Sequence, residues 1–202
     1  MKIKVCGMRD KENIQNLLVL KPDFIGFIFY KKSKRFVTKF PEVEIPSTIK
    51  KVGVFVNETI DEVLSAVEKF QLNVVQLHGN ESPLYCRLLK ENNLMVFKAF
   101  SVNDAFDFSQ TEAYQAICDY FLFDTKGKDY GGNGVKFNWQ ILKNYKGNTP
   151  FLLSGGITKI DADEIKKMSH KLFAGIDINS GFEIKPALKN INDIKEFKEN
   201  LK

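Results

Sequence analysis

Cys6 closes the apolar run that starts at Ile3 and is followed at once by Gly7, so a thiol stands where a strand turns toward a helix. A cysteine in a strand is commonly a small buried hydrophobe; beside a helix entry, a depressed pKa would make it a base. Asp124 follows the apolar and aromatic stretch from Tyr120 to Phe123. Partial desolvation there favours the neutral carboxyl and suits a general acid, while an Asx turn or a helix N-cap is the competing assignment. Gln76 and His78, two apart at the end of another run, share one strand face. Arg35 lies in the basic segment Lys31 to Val37. Its planar fork can take a carboxylate through two parallel bonds, although most such segments are only solvated loops. Asp177 lies near the end of a further run, and His170, among lysines near a helix end, reads as surface.

Two corners suit an anion. Phe151 to Leu153 runs into Ser154, Gly155 and Gly156, and Leu172 to Ile178 runs into Asn179, Ser180 and Gly181. Glycine lets the backbone approach a phosphate closely, and N–H groups entering a helix offer donors and the positive end of a dipole. Corners of this kind after the seventh and eighth strands are a recurring phosphate site of the (β/α)8 barrel. Gly155, Gly156, Ser180 and Gly181 are therefore the phosphate-binding candidates, with plain turns and a C-cap as the alternative.

That placement requires six more strand-helix units upstream. Apolar runs recur at Ile3–Met8, Phe24–Phe29, Val52–Val56, Val74–His78, Met95–Phe100 and Tyr120–Thr125, ahead of Phe151–Ser154 and Leu172–Ile178. Several are continuous rather than alternating, as parallel strands covered by helices should be. Among the spacers, 59–70 has apolar residues at helical spacing behind a Thr59/Glu62 capping box, and Ser82 precedes Pro83 at a first helical position. Helical spacers are also expected at 11–20, around 103–118, and at 139–144, 161–168 and 193–201. Between Phe36 and Lys51, Pro41 and Pro46 forbid a long helix, so the second crossover should be irregular. The expected fold is α/β, a (β/α)8 TIM barrel in which residues 1–202 form a single compact domain, with a glycine-rich loop, 126–134, as a lid.

Composition narrows the classes. Of the 202 residues 44% are hydrophobic and 27% charged, which describes an ordinary globular protein. No apolar run is long enough to span a bilayer, and the chain opens on a strand-like segment, so a cytoplasmic protein with no membrane role is expected. Three separated cysteines form neither a disulfide framework nor a metal motif. The net charge of +5 is spread over scattered lysines, which argues against nucleic acid and fits a small anionic molecule. With no nucleotide or metal signature, no cofactor and no metal are expected. Oligomeric state is not legible.

With these residues assembled, the chain resembles the phosphoribosylanthranilate isomerase family of tryptophan biosynthesis over nearly its whole length. The resemblance is carried by Lys4 to Met8, Gly26 to Phe29 with Ser33 to Val37, Val52 to Val56, Val75 to Gly79, Phe123 and Asp124 with Gly131 to Gly134 and Trp139, Ser154 to Gly156, and Gly175 to Gly181. It implies an Amadori rearrangement of a phosphorylated aminoaldose, with Asp124 as general acid and Cys6 as general base. It further implies that Arg35 binds the anthranilate carboxylate, that His78 and Asp177 contact the substrate, and that Gly155, Gly156, Ser180 and Gly181 hold the phosphate. The chain departs from the family pattern in its interrupted second crossover, at Asn133 where threonine is common, and at Ala187 where glycine often follows the proline. The related histidine-pathway isomerase resembles this fold but carries aspartate at the place of Cys6. Indole-glycerol-phosphate synthase relies on strand lysines, for which Lys98 is the comparable candidate. A non-catalytic phosphosugar-binding barrel would leave Cys6 and Asp124 dispensable.

Overall fold

The structure, a computed structural model, describes residues 1–125 and 136–202. Eight parallel strands close into a barrel: β1 (Lys2–Val5), β2 (Phe24–Ile28), β3 (Lys50–Phe55), β4 (Val74–Leu77), β5 (Met95–Val102), β6 (Tyr120–Thr125), β7 (Phe151–Leu153) and β8 (Phe173–Ile178). Each pairs with its neighbours in sequence, and β8 returns to β1 with Lys4 opposite Asp177. The continuous apolar runs thus mark strands buried on both faces, as expected. Inside the barrel Phe24, Phe97 and Tyr120 meet edge to face as a floor. Between the strands and the outer layer a larger core runs from Ile3 and Val5 to Phe197.

The outer elements include α1 (Lys11–Leu18), α2 (Ile60–Phe70), α3 (Pro83–Glu91), α4 (Ala162–Lys166) and α5 (Ile191–Asn200). Local chemistry sets their starts. The Thr59 hydroxyl accepts from the Glu62 amide and donates to its carboxylate, and Ser82 caps α3 with Pro83 in the first turn. The second crossover has no helix, as Pro41 and Pro46 demand; Phe40 fills the space by stacking on Phe70 at 4.5 Å and lying 4.7 Å from Phe27.

Three further crossovers are wholly or partly 3-10 rather than the plain α-helices the sequence suggested. The spacers after β5 and β6 are 3-10 segments, Phe108–Tyr114 and Trp139–Asn144, and the one after β7 is a 3-10 turn, Lys159–Asp161, leading into the five-residue α4. In the first two, Asp107 and Asn138 accept from the amides two residues on, at 2.9 and 3.0 Å, an Asx geometry that starts a tight turn rather than an α-helix. His170 is not a free surface residue: its ring bonds the Tyr145 carbonyl and the Leu172 amide and packs edge-on to Phe151. After β8, Ser180–Phe182 forms a short 3-10 turn, followed by a hairpin of β9 (Glu183–Lys185) and β10 (Leu188–Lys189).

Candidate active site

Strand alternation aims Lys4 and Cys6 of β1, Gln76 and His78 of β4, Leu122 and Asp124 of β6, and Asp177 of β8 into the barrel. At its carboxyl end Cys6, Gln76, His78, Asp124 and Asp177 line one cleft, together with Arg35 from the loop after β2 and the corners after β7 and β8. Every site residue expected from sequence lines this cleft, Cys6, Arg35, His78, Asp124, Gly155, Gly156, Asp177, Ser180 and Gly181 alike. The loop 126–134, with Asn133 in it, lies outside the described residues.

Asp124 is buried, accepts from the Thr125 amide at 2.9 Å and meets His78 Nε2 at 3.1 Å. Gln76 Nε2 reaches His78 Nδ1 at 3.3 Å, so Gln76, His78 and Asp124 form one polar line across the cleft. The outer Gln76 oxygen, Oε1, is buried without a partner among the described residues. Turning the amide would present that oxygen to a proton on Nδ1, so the Gln76 orientation and the His78 tautomer are coupled.

Cys6 is buried beside Lys4. Its pKa, which the sequence leaves open, is raised: burial pushes the thiol up and Asp177 adds to this, while Lys4 and Lys189 pull the other way without winning. Lys4, which had no role in the sequence reading, donates to both Asp177 oxygens at 2.9 Å. Burial disfavours its charge, but Asp177 and Cys6 outweigh that and hold its pKa above the usual lysine range. Asp177 is held above the usual carboxylate range by burial, against the pull of Lys4. A charged residue between Ile3 and Val5 in a strand was the sequence signal for Lys4.

Arg35 does form a bidentate pair, but with a carboxylate of the protein: Nε lies 2.8 Å from Glu183 Oε1, and Nη2 lies 2.6 Å from Oε2. Glu183 also accepts from Lys189 at 2.6 Å. Both partners escaped the sequence reading. Lys98 is accounted for away from the cleft by Glu81 at 3.3 Å and the Gly79 carbonyl at 2.7 Å.

The two glycine corners touch. Gly155 and Gly156 have φ of +89° and +68°, and a Cβ on Gly155 would strike Thr125 Oγ1 and come 2.8 Å from Asp124 Oδ1. A Cβ on Gly181 would strike the Ile157 carbonyl. The helices behind these corners are only a turn or so long, so backbone N–H groups rather than a long macrodipole are what they offer an anion.

Comparison with known proteins decides the family. The family model described as N-(5'-phosphoribosyl)anthranilate (PRA) isomerase matches residues 3–200. The chain belongs to this family. It is 48% identical to the N-(5'-phosphoribosyl)anthranilate isomerase of Parabacteroides distasonis, over 98% of this chain and 91% of that one, and 46% identical to that of Phocaeicola vulgatus, over 100% and 98%. The crystal structure of the Thermotoga maritima enzyme superposes with a TM-score of 0.87 at 34% identity, covering 100% of this chain and 98% of that one. Another solved family structure, with a TM-score of 0.85 at 31% identity and the same coverage, holds reduced 1-(o-carboxyphenylamino)-1-deoxyribulose 5-phosphate. The chain is accordingly an aldose-ketose isomerase of tryptophan biosynthesis with the family's TIM-barrel fold. Among the described residues no helix is long and apolar enough to cross a membrane.

Proposed function

We propose that residues 1–202 work as one barrel whose cleft isomerises N-(5'-phosphoribosyl)anthranilate, with Asp124 as general acid and Cys6 as general base. One observation carries the assignment: a carboxyl on β6 and a thiol on β1 line the same cleft, each with its own polar partner, His78 for Asp124 and Lys4 for Cys6. Asp124 gives a proton to the ribose ring oxygen as the bond from that oxygen to C1 breaks, and the lone pair of the anthranilate amine nitrogen on C1 moves in to form the C1–N double bond of the Schiff base. Cys6, as thiolate, takes the proton from C2, and the electron pair left behind makes the enolamine. Tautomerisation then gives the ketone, so C1 is reduced and C2 oxidised within one molecule and the electrons balance inside the substrate.

Binding follows from the same walls. Arg35 receives the anthranilate carboxylate, His78 and Asp177 contact the sugar, and the N–H groups around Gly155, Gly156, Ser180 and Gly181 hold the phosphate. The protein acts in the cytoplasm on this small phosphorylated molecule, with no part for nucleic acid or membrane. The test is loss of anthranilate-adduct fluorescence with substrate generated in situ. Cys6→Ser and Asp124→Asn should each lower turnover by about 10²–10⁴-fold. An inactive parent, or two fully active variants, would overturn the assignment.

A further inference from the structure

We propose that Glu183 is a positioning residue for substrate recognition: it occupies the Nε/Nη2 edge of Arg35 and thereby presents the Nη1/Nη2 edge to the substrate's ring carboxylate. This rests on the reading that Arg35 receives that carboxylate. A guanidinium has two edges that each match a carboxylate. Glu183 spans the first, with Nε at 2.8 and 3.1 Å from its two oxygens and Nη2 at 2.6 Å. Nη1 donates to no described residue, and Arg35 lines the cleft.

The support beneath Arg35 is built rather than incidental. Glu183 and Lys189 face each other across the β9–β10 hairpin, and Lys189 Nζ donates to Glu183 at 2.6 Å and to Asn179 Oδ1 at 2.7 Å. Asn13 of α1 exchanges two 2.8 Å hydrogen bonds with the Lys189 backbone, so the hairpin is anchored to the barrel wall. The Arg35 stem lies on Gly7, next to Cys6, where an added Cβ would come within 2.7 Å of Cδ. Although burial opposes it, Arg35 and Lys189 hold the Glu183 carboxyl below the usual range, so it stays ionised. With Arg35 and Lys189 charged, the cluster carries one net positive charge, which matches one incoming carboxylate. If Glu183 were instead a resident competitor that substrate must displace, removing its charge would tighten binding.

The experiment compares two substrates made in situ from ribose 5-phosphate, the anthranilate adduct and the aniline adduct, which lacks the carboxylate. Glu183→Gln should raise KM for the anthranilate adduct at least tenfold with kcat within threefold, and leave kcat/KM for the aniline adduct unchanged. Glu183→Asp keeps the charge that compensates buried Lys189 and so preserves folding. It should raise KM several-fold on the carboxylated substrate only, and this variant decides the matter if Glu183→Gln does not fold. A lower KM, an equal loss on both substrates, or no effect would each overturn the inference. Arg35→Ala separates the two levels: if it fails to distinguish the substrates, the reading of Arg35 itself falls. If Arg35→Ala distinguishes them and the Glu183 variants do not, only the role of Glu183 falls.

Discussion

Removing Lys4 or Asp177 alone should be far more damaging than removing both. The ammonium sits 2.9 Å from both Asp177 oxygens, with the two side chains 0% and 5% exposed. At an effective dielectric near 20, two charges about 3 Å apart attract by about 6 kcal/mol, comparable to the several kcal/mol per ion spent on removing them from water. The intact pair is therefore close to neutral in its net effect, whereas one orphaned member leaves an uncompensated charge under Cys6. Lys4→Met and Asp177→Asn should each cost about 3–5 kcal/mol, and the double variant should cost less than either, about 2 kcal/mol or below. Urea unfolding followed by the single tryptophan, buried Trp139, reads all four proteins. Additive losses, or single costs below about 1 kcal/mol, would refute the claim that burial makes this pair interdependent. The double variant should regain stability without regaining turnover, because the cation beside the Cys6 thiolate is still missing.

Other outcomes follow from single sites. Ala187 holds a left-handed φ of +66° in the turn of the β9–β10 hairpin, so Ala187→Gly should raise stability by about 1 kcal/mol in the same unfolding assay. Inactivation by iodoacetamide should be slow at neutral pH and accelerate as the pH rises, because burial raises the thiol pKa and only the minor thiolate fraction, the same fraction that acts as base, reacts. A rate that levels off below pH 8 would contradict the burial argument.

The strands were legible to within about three residues at each end because a parallel strand covered on both faces tends to be a continuous apolar run, and turn residues bound each one. The spacers after β5 and β6 were misread for a local reason: Asp107 and Asn138 cap two residues ahead, which tightens the turn, while the apolar spacing alone resembles a helix. Cys6, His78, Asp124 and Asp177 could be picked out because each lies at or near the end of a run. Glu183 and Lys189 end no run; their meeting depends on a two-residue turn and on α1, far away in sequence. The direction of the Cys6 pKa was equally hidden, since it is set by how deep the thiol lies and by which charges surround it.

Among the described residues, the charged side chains in and just beneath the cleft are paired before substrate arrives. Lys4 is matched by Asp177, Asp124 meets His78, and Glu183 lies between Arg35 and Lys189. Among the described residues, Arg35, Lys189 and Glu183 together leave one net positive charge at the Arg35 end, which matches a carboxylate. Among the described residues that line the cleft, the corners after β7 and β8 contribute neither lysine nor arginine. A phosphate there would be held by backbone N–H groups and by the Ser154 and Ser180 hydroxyls, dipoles whose strength does not depend on pH. The two ends of the substrate would thus be recognised by different physics. Added salt should weaken the carboxylate end more than the phosphate end.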